Sequence, residues 1–422
     1  MPMNVVLQGI GAIIVGAVLL QIIFLLISSV RLLVYQHRQR TLALGLLQHR
    51  VEIAKARRLE QEETELSWNG FRKFVIKRKV EETQDISSFY LSPHDSKQLP
   101  RFKPGQYLTF KLNIPGNPKP VIRCYSLSDS PNQTDHYRIT IKRLSAPSNK
   151  PDLPNGLVST YFHDRLREGD ILDVKAPSGK FILDLSVDFP IVLVGGGVGI
   201  TPILSMLKGV TESQSKREVW LFYGVPGGSH HIMKEYLAQL SREFDNLHVQ
   251  VCYSKPTDHD IPGKDYHHAG HITVELFKRV LPANNYGFYI CGPPSMMESL
   301  TQDLLSWGVP TDNIFFEAFG PATVKRATSA PIPLHEGPGI DVIFAKSGKK
   351  CPWNPNAGSL LDFAESNGIA IDFGCRAGNC GTCLTAIKEG EVTYLTDPGT
   401  MPEAGSCLTC ISVPKGQVTL DA

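Results

Sequence analysis

From Met1 to Val30 no side chain carries a charge, and the run VVLQGIGAIIVGAVLLQIIFLLISSV is apolar almost throughout. About 20 helical residues cross a bilayer core, so this segment is long enough to span one. A cleaved signal peptide would show a basic start, a shorter apolar run and a small-residue cleavage site. This run has no basic start and is too long. A buried core helix seldom stays apolar on every face for such a length. Arg31, Arg38, Arg40 and Arg50 all follow the run, and no Lys or Arg precedes it. Because positive residues stay on the cytoplasmic side, the expectation is a single-pass anchor over 1–36 in the cell (inner) membrane. The lipid bilayer is then a partner and the rest of the chain is cytoplasmic.

Residues 37–66 read as a helical stalk. Leu42, Leu46, Ile53 and Leu59 recur at helix-like spacings, and Arg57 and Arg58 precede Glu60, Glu62, Glu63 and Glu65. The basic half suits anionic lipid and equally suits a solvated spacer. From Trp68 the pattern changes. FRKFVIKRKV, YLTFKLNI and YRITIKRL alternate and are rich in β-branched and aromatic residues, which indicates strands. The stretch 67–187 is expected to form a small antiparallel β-barrel. From Phe189 it changes again: PIVLVGGG, EVWLFYG, HVQVCYS and YGFYICGP read as buried strands separated by helical segments such as TPILSMLKGV. That alternation predicts a parallel α/β sheet over 188–323. A Pro/Gly/Ser-containing linker over 324–339 leads to a last domain at 340–422. A length of 422 residues accommodates this many domains. The formal net charge of +2 gives no reason to expect nucleic acid as a partner.

Nine cysteines is an odd number for a disulfide framework, and four of them fall in a ligand pattern. Cys375, Cys380 and Cys383 are spaced C-x4-C-x2-C in GCRAGNCGTC, and Cys410 follows in SCLTCISVP. This is the plant-type 2Fe-2S spacing, in which four thiolates surround two irons and one loop supplies three of them. Ala377, Gly378 and Gly381 let backbone N–H groups approach the sulfurs. Cys380/Cys383 and Cys407/Cys410 also form two C-x2-C pairs, which suits zinc but leaves Cys375 and the glycines unexplained. TCISVP resembles the T-C-V-A-Y-P run of plant-type ferredoxins, and that resemblance assigns Cys410 as the fourth ligand. Cys407, Cys252 and Cys351 then read as buried thiols. Thiolate ligands favour a reducing, cytoplasmic setting.

RCYSLS, Arg123 to Ser128, resembles the R-x-Y-S flavin motif of the ferredoxin-NADP reductase superfamily. The resemblance implies that Arg123 pairs with a flavin phosphate, that Tyr125 packs on the ring system, and that Ser126 hydrogen-bonds near the hydride-accepting nitrogen. Cys124 lies between them. A guanidinium fork suits phosphate, and strand alternation puts Arg123 and Tyr125 on one face. GLVSTYFH, from Gly156, resembles the family's phosphate-binding turn, with Gly156, Val158, Ser159 and Thr160 opening a helix whose N–H groups receive pyrophosphate. Simple capping by Ser159 or Thr160 is the alternative. PGQY, ending at Tyr107, fits the same pattern. The turn is similar to that of flavohaemoglobin reductases, which implies FAD over FMN.

VGGGVGITP follows a strand and opens a helix, with Gly196, Gly197 and Gly199 allowing close approach of a pyrophosphate. Thr201 is expected to cap that helix and Pro202 to sit in its first turn. CGPP (Cys291, Gly292, Pro293, Pro294) ends a strand on the edge where ligands bind in such sheets. By resemblance Cys291 lies beside the hydride-bearing carbon of the nicotinamide. Glu317 and Phe319, in FEAFG, match the family's closing segment, where an aromatic covers the flavin, although a core Phe fits as well. Lys255, in YSKP, offers a partner for a 2′-phosphate, and a solvated Lys reads as well there, so the expectation leans to NADH over NADPH.

The fold expected is therefore multidomain: a transmembrane helix, an antiparallel β-barrel FAD domain, a parallel-sheet NAD(P) domain and a β-grasp 2Fe-2S domain. Ser126, Cys291 and Phe319 are the expected catalytic residues. The resemblance is to one-chain reductases of multicomponent oxygenases. It implies electron flow from NADH or NADPH through FAD and a 2Fe-2S cluster to an unidentified protein acceptor, expected at the membrane as an oxygenase, hydroxylase or desaturase. Two other readings remain. The peripheral subunit of the sodium-pumping NADH:quinone reductase has similar parts, but there the ferredoxin domain precedes the flavin domain. A redox sensor with regulatory cofactors is the other.

Overall fold

The computed structural model describes residues 3–146, 152, 154–317, 319, 340–374, 376, 378, 381–395, 398 and 402–422. The expected linker and the expected ligands Cys375 and Cys380 lie outside these. The described chain divides into two units, Met1–Glu65 and Leu66–Ala422.

The first unit is one helix, α1 (Met3–Leu66). Its stretch Val18–Leu47 has a mean hydropathy of 2.3 and is not buried against other parts of the chain. By length and composition it is able to cross a membrane.

The second unit opens with β1 (Arg72–Thr83), β2 (Ile86–Pro93), β3 (Tyr107–Leu112), β4 (Val121–Ser126) and β5 (Tyr137–Lys142). After α2 (Leu157–Asp164) comes β6 (Ile171–Ser178). These strands pair in the order β4-β3-β6-β1-β2-β5, all antiparallel. A bridge between Leu127 and Ile139 joins the two edges, so the sheet curls back on itself. Phe74, Phe89, Phe110, Tyr137, Ile139 and Phe162 fill the interior.

Next come β7 (Ile191–Gly196), α3 (Ile200–Glu212), β8 (Val219–Val225), α4 (Lys234–Glu243), β9 (Leu247–Tyr253), β10 (His268–Ala269) and α5 (Val274–Val280). β11 (Gly287–Cys291), α6 (Pro294–Ser306) and β12 (Ile314–Glu317) complete this part. Its sheet is parallel, in the order β10-β9-β8-β7-β11-β12. The unbroken apolar run of β7 follows from burial on both faces. Ile191 and Leu193 join one core, and Val192 and Val194 join another on the opposite side. Chain order reverses direction at β7, since β8 lies on one side of it and β11 on the other. That switch point opens a crevice at the carboxyl ends of β7 and β11, the place where such sheets bind ligands.

The last part contains β13 (Asp341–Phe344), β14 (Lys349–Pro352), α7 (Leu360–Ser366), β15 (Leu384–Glu389), β16 (Val392–Tyr394), β17 (Ser406–Leu408), β18 (Ser412–Pro414) and β19 (Val418–Leu420). A mixed sheet runs β14-β13-β19-β15-β17, with β16 and β18 paired separately. Ser359 and Asp362 form a reciprocal capping box that starts α7. Cys383, Cys407 and Cys410 lie in the core beneath it.

The antiparallel and parallel parts are joined at α3. The Gly105 N–H donates to Ser205 Oγ at 2.8 Å, Lys208 pairs with Asp129, and Glu212 accepts from Ser130 and from Asn132 Nδ2.

Candidate active site

β4 carries RCYS, with Arg123, Cys124 and Tyr125 half-buried and Ser126 buried. They border a cavity of about 500 Å³ that all three folded parts help to wall. Tyr107, Arg123, Cys124, Tyr125 and Ser126 come from the antiparallel sheet. Val198, Thr201, Glu317 and Phe319 come from the parallel-sheet part, and Phe373, Gly374 and Arg376 from the C-terminal part.

Arg123 is half-buried, and burial lowers the pKa of its guanidinium. Its Nη1 donates to the Ile122 carbonyl at 2.7 Å, and among the described residues no carboxylate pairs with it. A cation in a recess without a counter-charge fits an anionic ligand. The Tyr125 ring stands edge-on to Phe110 and Phe162, at 5.9 and 5.3 Å. Cys124 Sγ lies 3.4 Å from Thr109 Oγ1.

The α2 turn lines the same cavity through Gly156, Leu157, Val158 and Ser159. No side chain among the described residues caps α2. Ser159 Oγ accepts the Leu144 N–H at 3.1 Å and donates to the Gly156 carbonyl at 3.1 Å, so the capping alternative for Ser159 does not hold. Thr160 Oγ1 is buried, with no partner among the described residues. A Cβ on Gly156 would stand 2.8 Å from Leu144 Cβ and from Ser159 Oγ. Uncapped first-turn N–H groups beside Arg123 fit a phosphate, and with the Tyr125 ring they fit a flavin nucleotide.

In the crevice, Gly199 is the N-cap of α3 and no side chain caps it. This corrects the expectation for Thr201. That residue sits inside the first turn and its hydroxyl donates back to the Val198 carbonyl at 3.0 Å, because the helix starts at Ile200. A Cβ on Gly199 would come within 2.3 Å of the Cys291 carbonyl oxygen. One on Gly196 would come within 2.8 Å of Pro293 Cδ, and one on Gly292 within 3.0 Å of Gly196 Cα. The two glycine loops thus touch, and Gly197 turns the chain with φ 55°. This bare backbone cradle at the switch point fits a dinucleotide.

Cys291 and Glu317 are register partners on β11 and β12. Cys291 is fully buried, and burial together with the nearby Glu317 charge pushes its thiol well up. Glu317 is the group that sequence reading undervalued. Burial pushes its carboxyl up to about 8, against the opposing effect of a hydrogen bond from Ser126 Oγ at 3.0 Å. The match of FEAFG to the family's closing segment named Glu317 without a role; only the pairing with Cys291 and Ser126 gives it surroundings. Phe319 is 45% exposed and lines the cavity, so it is not a core residue. Lys255 is exposed just past β9.

Cys383 Sγ lies 3.2 Å from Cys410 Sγ, and both are buried. Gly378 and Gly381 have φ of 72° and 71°, and a Cβ on Gly378 would strike Ile411 Cδ1 at 2.4 Å. Two adjoining buried thiols under a loop turned by glycines fit a cluster. Cys407 pairs with Thr385 in the sheet, and burial pushes its thiol up to about 12. Cys351 is only half-buried, against expectation, because β14 is an edge strand.

Three family models match along the chain: an oxidoreductase FAD-binding domain at residues 73–182, an oxidoreductase NAD-binding domain at 193–302, and a 2Fe-2S iron-sulfur cluster binding domain at 343–415. The chain carries ferredoxin reductase-like FAD- and NAD-binding domains and a C-terminal 2Fe-2S domain. It is thus an electron-transfer oxidoreductase, with FAD, a 2Fe-2S cluster and NAD(P)H as its cofactors. A flavohemoprotein of Halalkalibacterium halodurans is 39% identical over 272 residues, which is 64% of this chain and 65% of that relative. The chain therefore spans just under two thirds of the length of the curated relatives it matches. The flavohem-like FAD/NAD binding domain of nitric oxide dioxygenase from Vibrio cholerae is 31% identical, with a TM-score of 0.52, over 60% of this chain and 100% of that one. Phthalate dioxygenase reductase matches over 84% of this chain and 98% of its own, at 26% identity and a TM-score of 0.52.

Proposed function

We propose that this oxidoreductase takes a hydride from NAD(P)H and delivers electrons one at a time to a separate protein acceptor at a membrane. The observation that carries this reading is the single cavity walled by all three folded parts. When bound, FAD accepts electrons as a pair and releases them singly, and the 2Fe-2S cluster carries one at a time.

The chain's own residues bind, orient and exclude water. Arg123 and the α2 turn hold the flavin phosphates, and the Tyr125 ring packs on the flavin. The loops at Gly196–Gly199 and Gly292–Pro293 seat the nucleotide, with the Cys291 thiol, kept neutral by burial, against the nicotinamide. Ser126 is held by Glu317, whose carboxyl keeps its proton below about pH 8. Phe319, partly exposed on the cavity wall, would cover the flavin. Cys375, Cys380, Cys383 and Cys410 hold the cluster.

The apolar stretch of α1 supports a membrane anchor. The length of the match to phthalate dioxygenase reductase supports an oxygenase-type acceptor. Anaerobic NADH or NADPH added to the purified full chain should bleach the flavin absorbance and then the cluster absorbance. Absence of flavin bleaching with either nucleotide rejects the reaction. Unaided quinone reduction would favour the quinone reductase reading, and negligible turnover with one-electron acceptors the sensor. Extraction of the full chain from membranes by alkaline carbonate would reject the anchor.

A further inference from the structure

Two cations from different parts of the fold meet at one aromatic ring beside the cavity. Arg376 follows the cluster ligand Cys375 and has φ 54°, a left-handed conformation uncommon outside glycine. Its guanidinium carbon lies 3.9 Å from the centroid of the Phe373 ring, close enough for a strong cation–π contact. Two carboxylates of α7 hold it there: Asp362 Oδ1 stands 3.1 Å from Nη1, and Glu365 pairs with Nη2. Asp362 is also the capping-box residue of α7, so the clamp is tied to a helix end. From the flavin side, Arg123 approaches the same ring at 5.9 Å. Phe373, Arg376 and Arg123 all line the cavity.

These contacts put the start of the cluster loop into the wall of the flavin cavity. Arg376 has its carboxylates, whereas Arg123 has none among the described residues. The like charge of Arg376 adds to burial in disfavouring the Arg123 guanidinium, and an anion between them would relieve this. We propose that Phe373 and Arg376 are positioning residues: they dock the cluster loop against the bound flavin, so that flavin binding and flavin-to-cluster electron transfer are coupled. This rests on the reading of the cavity as the flavin site. The step served moves one electron at a time from the reduced flavin to the oxidised cluster. The proton is released to water, and the external one-electron acceptor reoxidises the cluster after each transfer.

The test uses the purified full chain with flavin and cluster in place, mixed rapidly with NADH without oxygen. Flavin bleaching and cluster bleaching are followed separately, and the FAD dissociation constant is measured from the fluorescence of released flavin. In Arg376→Ala the ratio of the cluster rate to the flavin rate should fall about fivefold, the weight of a partly exposed cation–π pair, and FAD should bind several-fold more weakly. Arg376→Lys keeps the charge without the planar stack, so it should recover FAD affinity more than it recovers the ratio. Phe373→Leu should lower the ratio as well. If Arg376→Ala loses iron, the Lys and Phe373→Leu variants decide. A ratio unchanged in variants that retain iron, or an equal slowing of both steps, would overturn the proposal. Failure of the unmodified chain to bleach its flavin would instead reject the cavity as the flavin site.

Discussion

Ser126 on β4 and Glu317 on β12 are 191 residues apart in the chain, yet the Ser126 hydroxyl donates to Glu317 Oε2 at 3.0 Å. This bond crosses from the flavin sheet to the nucleotide sheet and meets Cys291 through the register of β11 and β12. A half-buried carboxyl there, with a hydroxyl as its donor, keeps its proton to about pH 8.

That proton has a consequence for stability. The ordinary Glu value is 4.5 and the folded value about 8. Between these the folded chain binds a proton that the unfolded chain has released, so stability falls as pH rises through the window and levels off above it. Glu317→Gln should flatten that slope, as read from urea midpoints between pH 5 and 9. Ser126→Ala should cost roughly 1–3 kcal/mol by leaving the carboxyl without its donor, and should slow flavin reduction by NADH. An unchanged pH slope in Glu317→Gln would contradict this account.

Gly199 carries the contact between α3 and β11. Its φ of −61° suits any residue, so Gly199→Ala is opposed only by space, where Cβ would meet the Cys291 carbonyl at 2.3 Å. The expected cost is roughly 1–3 kcal/mol of stability, from overpacking. KM for the nucleotide should rise more than kcat falls, because the crevice opens while the flavin side is untouched. Steady-state kinetics with ferricyanide as acceptor would check this split.

The two C-terminal thiols separate by geometry. Cys410 Sγ adjoins Cys383 Sγ, whereas Cys407 packs in the sheet opposite Thr385. Cys410→Ser should abolish the 2Fe-2S electron paramagnetic resonance signal and lower iron per chain. Cys407→Ser should leave both near their original values. The opposite pattern would exchange the assignments.

Asp129 ties the antiparallel part to α3. Burial works to raise its pKa, but His136, whose Nε2 stands 3.7 Å away, and the charges of Arg138 and Lys208 outweigh it and hold the carboxyl below its usual range. A depressed carboxylate stabilises above its ordinary value of 3.8, and the effect is lost as pH falls from there through the folded value. Asp129→Asn should therefore destabilise the chain at neutral pH by roughly 3 kcal/mol, since Arg138 is left buried without its charge partner. The difference between variant and parent should shrink in acid, and thermal unfolding at pH 7 and pH 3 measures it.

Much was legible because the signals are local. The alternating run at FRKFVIKRKV and the solid apolar run at PIVLVGG record whether one face or two are covered, and they separate an antiparallel sheet from a parallel one, although the alternation of YRITIKRL belongs to a strand buried on both faces. The glycine loops after β7 and β11 were also readable, since only glycine permits that backbone approach. Capping was read wrongly at Thr201, because the chain forms a short 3-10 turn over Gly197–Gly199 first and the cap falls two residues early, at Gly199. Glu317 was undervalued for a different reason: its donor Ser126 lies 191 residues away. Arg376 has Asp362 and Glu365 only 14 and 11 residues away, and what the sequence hid is that Arg123 reaches the same Phe373 ring from another sheet.

The amino-acid order by itself determined the element types, the apolar length of α1 and the cysteine spacing, all set by periodicity and local backbone preference. Only the tertiary structure decided that Ser126, Glu317 and Cys291 converge, and that Phe373 and Arg376 reach the same cavity as Arg123. Those meetings depend on strand order and on how the sheets dock. Burial and charge pairing act there across the whole chain, and no window of sequence contains both partners.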